Sequence, residues 1–378
     1  MTDSAPNSAG FRVLGMMSGT SLDAVDLAIV ETDGLEIFAY GPAGEHSLPD
    51  DLRRQCLAAT EAARNWTTGP EPDLITRTGL AIAAFQSDAV LSFLESEGLS
   101  PTDIDLVGFH GQTLIHVSPD AGRPGRSLQI GDPQFLARRL GVPVIYALRQ
   151  ADLAAGGQGA PLAPVYHAAR VRRSGFVGPT AVLNLGGVSN LTLVSEDHAL
   201  TAFDAGPANG PLDQWIERHG QGRYDDGGRI AATGAIDEAR IQSWLSEPFF
   251  QTFRPKSLDR FAFGPGLVEG MSLADGAATL AAFSAACVAH ALRQAPVSPE
   301  RVIVCGGGRH NAALMGELRK RAPCPVLTAE DVGWRGDSIE AEAWAFLAAR
   351  SRVGLPITYP GTTGIAEPLT GGRLATVD

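Results

Sequence analysis

The 378-residue sequence carries 30 Lys and Arg against 42 Asp and Glu, a formal net charge of −12, with 44% hydrophobic and 19% charged residues. That balance excludes a disordered chain and argues against nucleic acid, whose phosphates are bound by clustered Lys and Arg. The densest basic cluster is only Arg170-Val171-Arg172-Arg173, so a small polar ligand or another protein is the expected partner.

The first ten residues lack a basic stretch and an apolar core, so no signal peptide is expected there. Residues 11–17 read as a strand, Ser18-Gly19-Thr20-Ser21 as a tight turn, 24–31 as a strand, 32–34 as a turn and 35–40 as a third strand. Apolar residues at three- and four-residue spacing predict helices over 52–64 and 73–97. A strand over 104–109 ends in His110-Gly111-Gln112-Thr113, and strands at 128–131 and 142–147 flank a helix at 133–140. The run 154–161, Ala-Ala-Gly-Gly-Gln-Gly-Ala-Pro, breaks any regular element and places a hinge near 146–160. Midway the opening cadence returns: strand 181–185, turn 186–190, strand 191–194, turn 195–197, strand 200–203, then Asp204-Ala205-Gly206-Pro207. Strand 301–305 runs into Gly306-Gly307-Gly308 with a helix over 311–321 directly behind it, and a last strong helix runs from 338 to about 352. The apolar stretch 276–289 is too short to span a bilayer, so no membrane segment is expected. Cys56, Cys287, Cys305 and Cys324 stand far apart without a C-x-x-C. Neither zinc nor a disulfide framework is expected, and a reducing cytoplasmic setting is favoured.

A three-strand meander followed by helices, occurring twice, predicts a duplicated two-domain α/β protein. The expected lobes are 1–146, with 362–378 able to rejoin it, and 147–361. The turn at 17–23 offers backbone N–H groups and hydroxyls to phosphate oxygens, and Asp23 could hold Mg²⁺ directly or through water. An ordinary Ser/Thr/Gly hairpin is the alternative. Gly186-Gly187 offers the same from the second meander. Gly306-Gly307-Gly308 before a helix suits phosphate or the flat approach of a nucleoside, although a plain strand-to-helix connection would look alike. Neither a P-loop nor a dinucleotide fingerprint is present.

Together the three turns resemble the phosphate-1, phosphate-2 and adenosine elements of the actin/hexokinase-type ATPases, a duplicated ribonuclease H-like fold with its active site in an inter-domain cleft. Seven segments occur in the order found in one family: Gly19-Thr20-Ser21-Leu22-Asp23, His110-Gly111-Gln112-Thr113, Leu128-Gln129-Ile130-Gly131, Gly156-Gly157-Gln158-Gly159-Ala160-Pro161-Leu162, Leu183-Asn184-Leu185-Gly186-Gly187, Phe203-Asp204 with Gly206-Pro207 and Asn209, and Cys305-Gly306-Gly307-Gly308. Over residues 11–364 the sequence resembles the anhydro-N-acetylmuramic acid kinases.

The resemblance implies an ATP- and Mg²⁺-dependent enzyme of cell-wall recycling that opens 1,6-anhydro-N-acetylmuramate with water and phosphorylates O6. It also implies a homodimer, nucleotide contacts from Gly19, Thr20, Ser21, Leu22, Asp23, Ala24, Val25, Asp26, Gly186, Gly187, Gly206, Asn209, Gly306, Gly307 and Gly308, and Asp204 as catalytic base with Glu340 as a second active-site carboxylate. Read bottom-up, Asp204 before Gly-Pro could merely cap a helix, and Glu340 could merely suit a helix dipole. Asp152 beside the Gly-Gly-Gln-Gly loop is a third carboxylate, read as a sugar-binding group. His110, Gln112 and Thr113 follow a strand end, where α/β folds place ligands, and Arg149 suits the lactyl carboxylate of the sugar. A buried structural histidine and a surface charge are the plainer readings of His110 and Arg149.

The sequence departs from the family pattern at Ala24, Ala205, Ala208, Ala147-Leu148 and Leu258-Asp259, which touches sugar contacts and affinity rather than reaction class. Two competing readings remain: another sugar or carboxylate kinase on the same fold, and a nucleotide-binding relative without catalysis.

Overall fold

Two short apolar runs open the two halves of the chain, and each becomes the centre of a sheet. The computed structural model describes residues 10–119, 123–197, 199–251, 256, 258 and 262–378. Residues 1–9, where the signal-peptide expectation falls, and Asp259 of the departing pair lie outside the described residues. The chain forms two compact units, residues 1–173 with 338–378 and residues 174–337. The dividing point therefore falls after Arg173 rather than 146, and the return to the first unit comes at Ser338, not 362. The expected hinge run 154–161 lies inside unit 1.

In unit 1, β1 (Phe11–Met17), β2 (Ala24–Thr32) and β3 (Ile37–Ser47) form an antiparallel meander. β4 (Leu106–Phe109) and β7 (Val144–Tyr146) then add in parallel beside β1. With β13 (Arg373–Ala375) the order is β13-β7-β4-β1-β2-β3. Gly15 and Gly108 face each other across β1 and β4, and there α10 (Ile339–Arg352) crosses the sheet. A Cβ on Gly15 would lie 1.9 Å from Ala341 O, and one on Gly108 2.3 Å from Trp344 O. These glycines let the helix seat directly on the strands, and eleven of its fourteen residues are buried. A helix enclosed on nearly every side needs no polar face, which is why its pattern carries no amphipathic stripe.

The opposite face of the sheet is covered by α2 (Asp73–Ser96) and α3 (Pro133–Leu140), whose Leu94, Phe93, Leu136 and Leu140 pack against Leu14, Leu27 and Val107. α3 begins where Asp132 accepts from Phe135 N at 2.9 Å and ends at Gly141 with φ 68°, so both of its sequence boundaries hold. α1 (Asp50–Asn65) packs with the small sheet β5 (Gln112–Val117) and β6 (Arg126–Ile130) through Leu52, Cys56, Leu114 and Ile130. α4 (Gln150–Ala154), α5 (Pro164–Arg173) and α11 (Pro360–Thr363) complete the unit.

Unit 2 repeats the plan. β8 (Thr180–Leu185), β9 (Val188–Val194) and β10 (Leu200–Pro207) make the meander, and β11 (Arg301–Cys305) and β12 (Val326–Thr328) run parallel to β8, giving the order β10-β9-β8-β11-β12. This is the unit 1 order without the final strand, the duplicated ribonuclease H-like topology that the sequence anticipates. α6 (Asn209–Arg218), α7 (Glu238–Leu245), α8 (Leu273–Gln294) and α9 (Ala312–Arg321) pack on it.

The stretch expected to be too short for a bilayer is part of α8, which has 22 residues and is long and apolar enough to cross a membrane. Its most apolar window is 78% buried, with Ala277, Leu280, Ala281 and Val288 in the main core of unit 2. It is a core helix. Ala205 and Ala208, two of the departing residues, are buried in the same core.

Candidate active site

The β1–β2 turn is fastened by its own Ser18 and by Gln112 of β5. Ser18 Oγ lies 2.7 Å from Gln112 Oε1 and 3.1 Å from Ala24 O, while Gln112 Nε2 donates to Gly19 O at 3.1 Å. Gln112, expected at the sugar, is fully buried and directed at the turn instead. Inside the turn Leu22 N donates to Gly19 O at 3.3 Å, with Leu22 in the left-handed region at φ 59°. Asp23 is exposed, and Val25 is fully buried among Leu27 and Ile29. Strand alternation therefore leaves Ala24 and Asp26 on the side away from the core, and Val25 has only its backbone to offer a nucleotide.

Unit 1 also gathers a polar group around Arg149. Its Nη1 donates to Gly159 O at 2.9 Å, its Nη2 lies 3.5 Å from His110 Nε2, and its guanidinium stands 5.6 Å from the Trp344 ring centre. Five donors on the guanidinium leave a fork for a carboxylate beyond these contacts. Burial pulls Arg149 down to about 10 against the opposing charges of Glu340 and Asp152. Burial, with Arg149 second, pulls His110 down to about 3, so its ring is neutral. Nδ1–H of His110 can then donate to Gly111 O at 2.9 Å, leaving Nε2 to accept from Thr113 Oγ1 at 3.4 Å and from Arg149. Glu340 stands in the first turn of α10; desolvation by the protein around it raises its carboxyl, and the charge of Arg149 opposes the shift.

Asp152 has a different place from the one expected. Its Oδ2 accepts from Gly159 N at 2.7 Å and its Oδ1 from Thr363 Oγ1 at 2.5 Å. A Cβ on Gly157 would fall 2.3 Å from Oδ2. The buried carboxylate holds up the Gly-Gly-Gln-Gly loop from beneath, and both of its oxygens are engaged by the protein. Ala147, two residues before Arg149, lies at φ 55°, a conformation that L-residues other than Asn and Asp seldom adopt.

In unit 2 the β8–β9 turn is fastened by backbone. Gly186 O accepts from Asn209 N at 2.9 Å, and Gly187 O accepts from Ala208 N and Gly210 N, each at 3.1 Å. The turn is thereby joined to the start of α6. Asn209 Nδ2 reaches Leu185 O at 3.3 Å, and a Cβ on Gly308 would press on the Asn209 amide at 3.1 Å. Gly306 has φ 77°, and a Cβ there would strike Asn184 Oδ1 at 2.2 Å. A 3-10 turn, Gly307–His310, stands between these glycines and α9, so the expected direct entry into the helix does not occur. Gly206 packs its α-carbon against α8, where a Cβ would lie 2.6 Å from Cys287 Cβ, and its carbonyl accepts from Ser189 Oγ at 2.8 Å. That glycine serves the core.

Among the described residues nothing requires four of the turn glycines. Gly19, Gly186, Gly187 and Gly307 lack positive φ. A Cβ on Gly187 or Gly307 meets nothing within 4 Å, and on Gly19 or Gly186 nothing nearer than 3.5 Å. Gly264, Gly266 and Gly316 share this profile away from those turns. Its repetition on all three Gly-rich turns is what a ligand lying against bare backbone would demand.

Asp204 belongs to β10, not to the turn after it, because β10 continues to Pro207 through a register shift between Asp204 and Gly206. Its side chain is 6% exposed. Asn190 Nδ2 donates to Oδ1, and Leu258 N donates to Oδ2 at 2.6 Å. Burial pushes its carboxyl up to about 6, with the Leu258 and Asn190 hydrogen bonds and the Lys256 charge opposing. It caps no helix: Ala208 occupies the N-cap position of α6. A carboxylate poised near neutrality is suited to accept a proton.

Sequence reasoning missed Asn190, Trp344 and Arg309. Asn190 had a readable signal, since register places it opposite Asp204 across the β9–β10 pair.

A family model described as anhydro-N-acetylmuramic acid kinase matches residues 11–376. The anhydro-N-acetylmuramic acid kinase of Caulobacter vibrioides is 52% identical over 364 residues, covering 96% of this chain and 98% of that protein. That of Phenylobacterium zucineum is 51% identical, covering 96% and 99%. Among solved structures, component A of the Acidaminococcus fermentans (R)-2-hydroxyglutaryl-CoA dehydratase aligns with TM-score 0.45 at 15% identity, covering 91% of this chain and 99% of that one.

Proposed function

The chain belongs to the anhydro-N-acetylmuramic acid kinase family, and on that premise we propose how its residues divide the work. It is an ATP-dependent kinase of peptidoglycan recycling that opens 1,6-anhydro-N-acetylmuramate with water and phosphorylates O6, releasing N-acetylmuramate 6-phosphate and ADP.

In our reading Asp204 takes a proton from the water that attacks the anomeric carbon. The C1–O(water) bond forms, the C1–O6 bridge breaks, and the departing O6 accepts the γ-phosphoryl group. The observation that carries this assignment is the buried Asp204 carboxyl raised to about 6, held by Asn190 and Leu258 N so that it has one orientation. The bare glycine turns around 19, 186–187 and 306–308, with the backbone from Leu22 to Asp26, support nucleotide contact. Arg149 supports recognition of the lactyl carboxylate, backed by neutral His110 and by Thr113. Glu340, raised and electrostatically coupled to Arg149, is assigned to orienting the sugar.

Among the described residues no cluster of three His, Cys, Asp or Glu side chains could hold a metal. That fits Mg²⁺, which binds through one or two carboxylates, water and substrate phosphates; Asp23, exposed on its turn, is the carboxylate we assign to it. When bound, the cation neutralises charge on the triphosphate. We further propose a cytoplasmic homodimer; the four free thiols, three of them buried, suit a reducing compartment.

The test is the product. Incubation with Mg-ATP and 1,6-anhydro-N-acetylmuramate should give a sugar heavier by one water and one phosphoryl group in the mass spectrum. A product heavier by a phosphoryl group alone would mean an ordinary hydroxyl kinase.

A further inference from the structure

Beneath the third glycine turn lies a side chain with no assigned role. Arg309 is 2% exposed at its side chain, yet it contacts two carboxylates that are 52% and 74% exposed, Glu330 and Asp337. Its Nε donates to Glu330 Oε1 at 3.0 Å and Nη1 to Asp337 Oδ1 at 2.8 Å. Nη2 reaches Asp337 Oδ2 at 2.6 Å and lies 2.9 Å from Glu330 Oε1. The remaining Nη1 donor goes to Gly306 O at 3.0 Å, where the Arg309 backbone N–H also donates at 3.2 Å. Four of the five N–H groups of the fork thus donate to acceptors, and the fifth sits on Nη2 in ion-pair range of Glu330. Gly336 makes the room: a Cβ there would sit 2.3 Å from Arg309 Nε.

Stability alone explains this arrangement poorly. A buried ion pair roughly breaks even against its desolvation, and a lysine has neither the planar fork nor enough donors to replace it. What the fork does fix is the carbonyl of Gly306. That residue sits in a left-handed conformation, and the next one, Gly307, presents bare backbone to open space.

We propose that Arg309 is a positioning residue of the nucleotide site, holding Gly306–Gly308 in its ligand-ready shape through Glu330 and Asp337. Arg309 acts on the nucleotide only through the turn and touches no reacting atom. Its loss should therefore weaken nucleotide binding and leave the chemical step in place. The proposal rests on the reading of Gly307 as a nucleotide contact, and the two are separated by testing both residues.

The experiment measures AMPPNP affinity by calorimetry, together with the KM for ATP and kcat at saturating sugar, in R309M, R309K, E330Q, D337N and G307V. For R309M the expected result is a Kd and KM at least ~10-fold higher with kcat within ~3-fold. R309K should recover only part of the loss, and E330Q and D337N, each weakening one arm, should raise Kd by ~2–5-fold. The single-arm variants keep the fork and its bond to Gly306, so they report even where R309M melts below the assay temperature. Unchanged Kd in R309K, E330Q and D337N, or a loss confined to kcat, would overturn the proposal. Normal nucleotide affinity in G307V would instead overturn the reading on which it rests.

Discussion

The turns after β1 and β8 stand at the same point of a repeated meander, yet they are held in different ways. The first is tied by the side chains of Ser18 and Gln112, brought from 94 residues apart in sequence. The second is tied chiefly by backbone, its two carbonyls taking three N–H groups at the start of α6, with the Asn209 amide donating to Leu185 O beside it. The third strands differ too. β10 carries a buried carboxylate at its register shift, whereas the one acidic residue of β3, Glu45, is exposed. Duplication has kept the backbone frame and left the side chains free to take separate tasks. On the reading proposed above, the β8 meander holds the catalytic carboxylate on its third strand, and the β1 meander carries a hydroxyl-rich turn.

That contrast can be broken most severely at Asp204. Asp204→Asn keeps the shape, and a flipped Asn190 amide restores its hydrogen bond, but the proton acceptor is lost. A fall in kcat of ~10²–10⁴-fold with nearly unchanged ATP affinity is expected from steady-state kinetics. The same variant should fold at least as stably as the parent above pH 6. A raised folded-state carboxyl means that stability falls as pH rises from the unfolded value through about 6, and the variant escapes that loss.

Next in size is Gly187→Val, which sets a side chain on the open face of the rigid turn. Nucleotide Kd should rise by ~10–10²-fold in calorimetry, while melting stays near the parent value, because no described residue lies within 4 Å of the new Cβ. Gln112→Leu sharpens the contrast from the other side. It frees Ser18 and Gly19 O, so the first turn loosens, and Kd should rise by ~3–10-fold. Smallest is Ala147→Asn, which suits the left-handed conformation before Arg149 and should raise unfolding free energy by ~0.5–1 kcal/mol in urea titration.

Both meanders were legible in the sequence because each is a run of strand-forming residues punctuated by Gly, Ser, Asn and Asp. α3 was legible to the residue because Asp132 and Gly141 mark its ends. The second half of β3 was not, since Gly41-Pro42-Ala43-Gly44 reads as a turn, and only pairing with β2 makes it a strand. β5 was lost for a similar reason: Gln112 and Thr113 belong locally to a turn motif, and their strand exists through β6. In the site, Asp204 and the glycine turns could be placed from local pattern, but the part played by Gln112 could not. Arg309 meets Glu330 and Asp337 across 21 and 28 residues, a distance over which no periodicity reports.

The central claim is that a buried aspartate on β10, titrating near pH 6, is the base for the attacking water. The pH dependence of kcat/KM for the anhydro sugar, in the parent and in Asp204→Asn, tests it most directly. The parent should lose activity as pH falls through about 6, because the protonated carboxyl cannot accept a proton. In the variant that acid limb should vanish, leaving a low, flat residual rate. An acid limb that persists at the same pH in Asp204→Asn would contradict the account and move the base to Glu340, a second raised carboxyl.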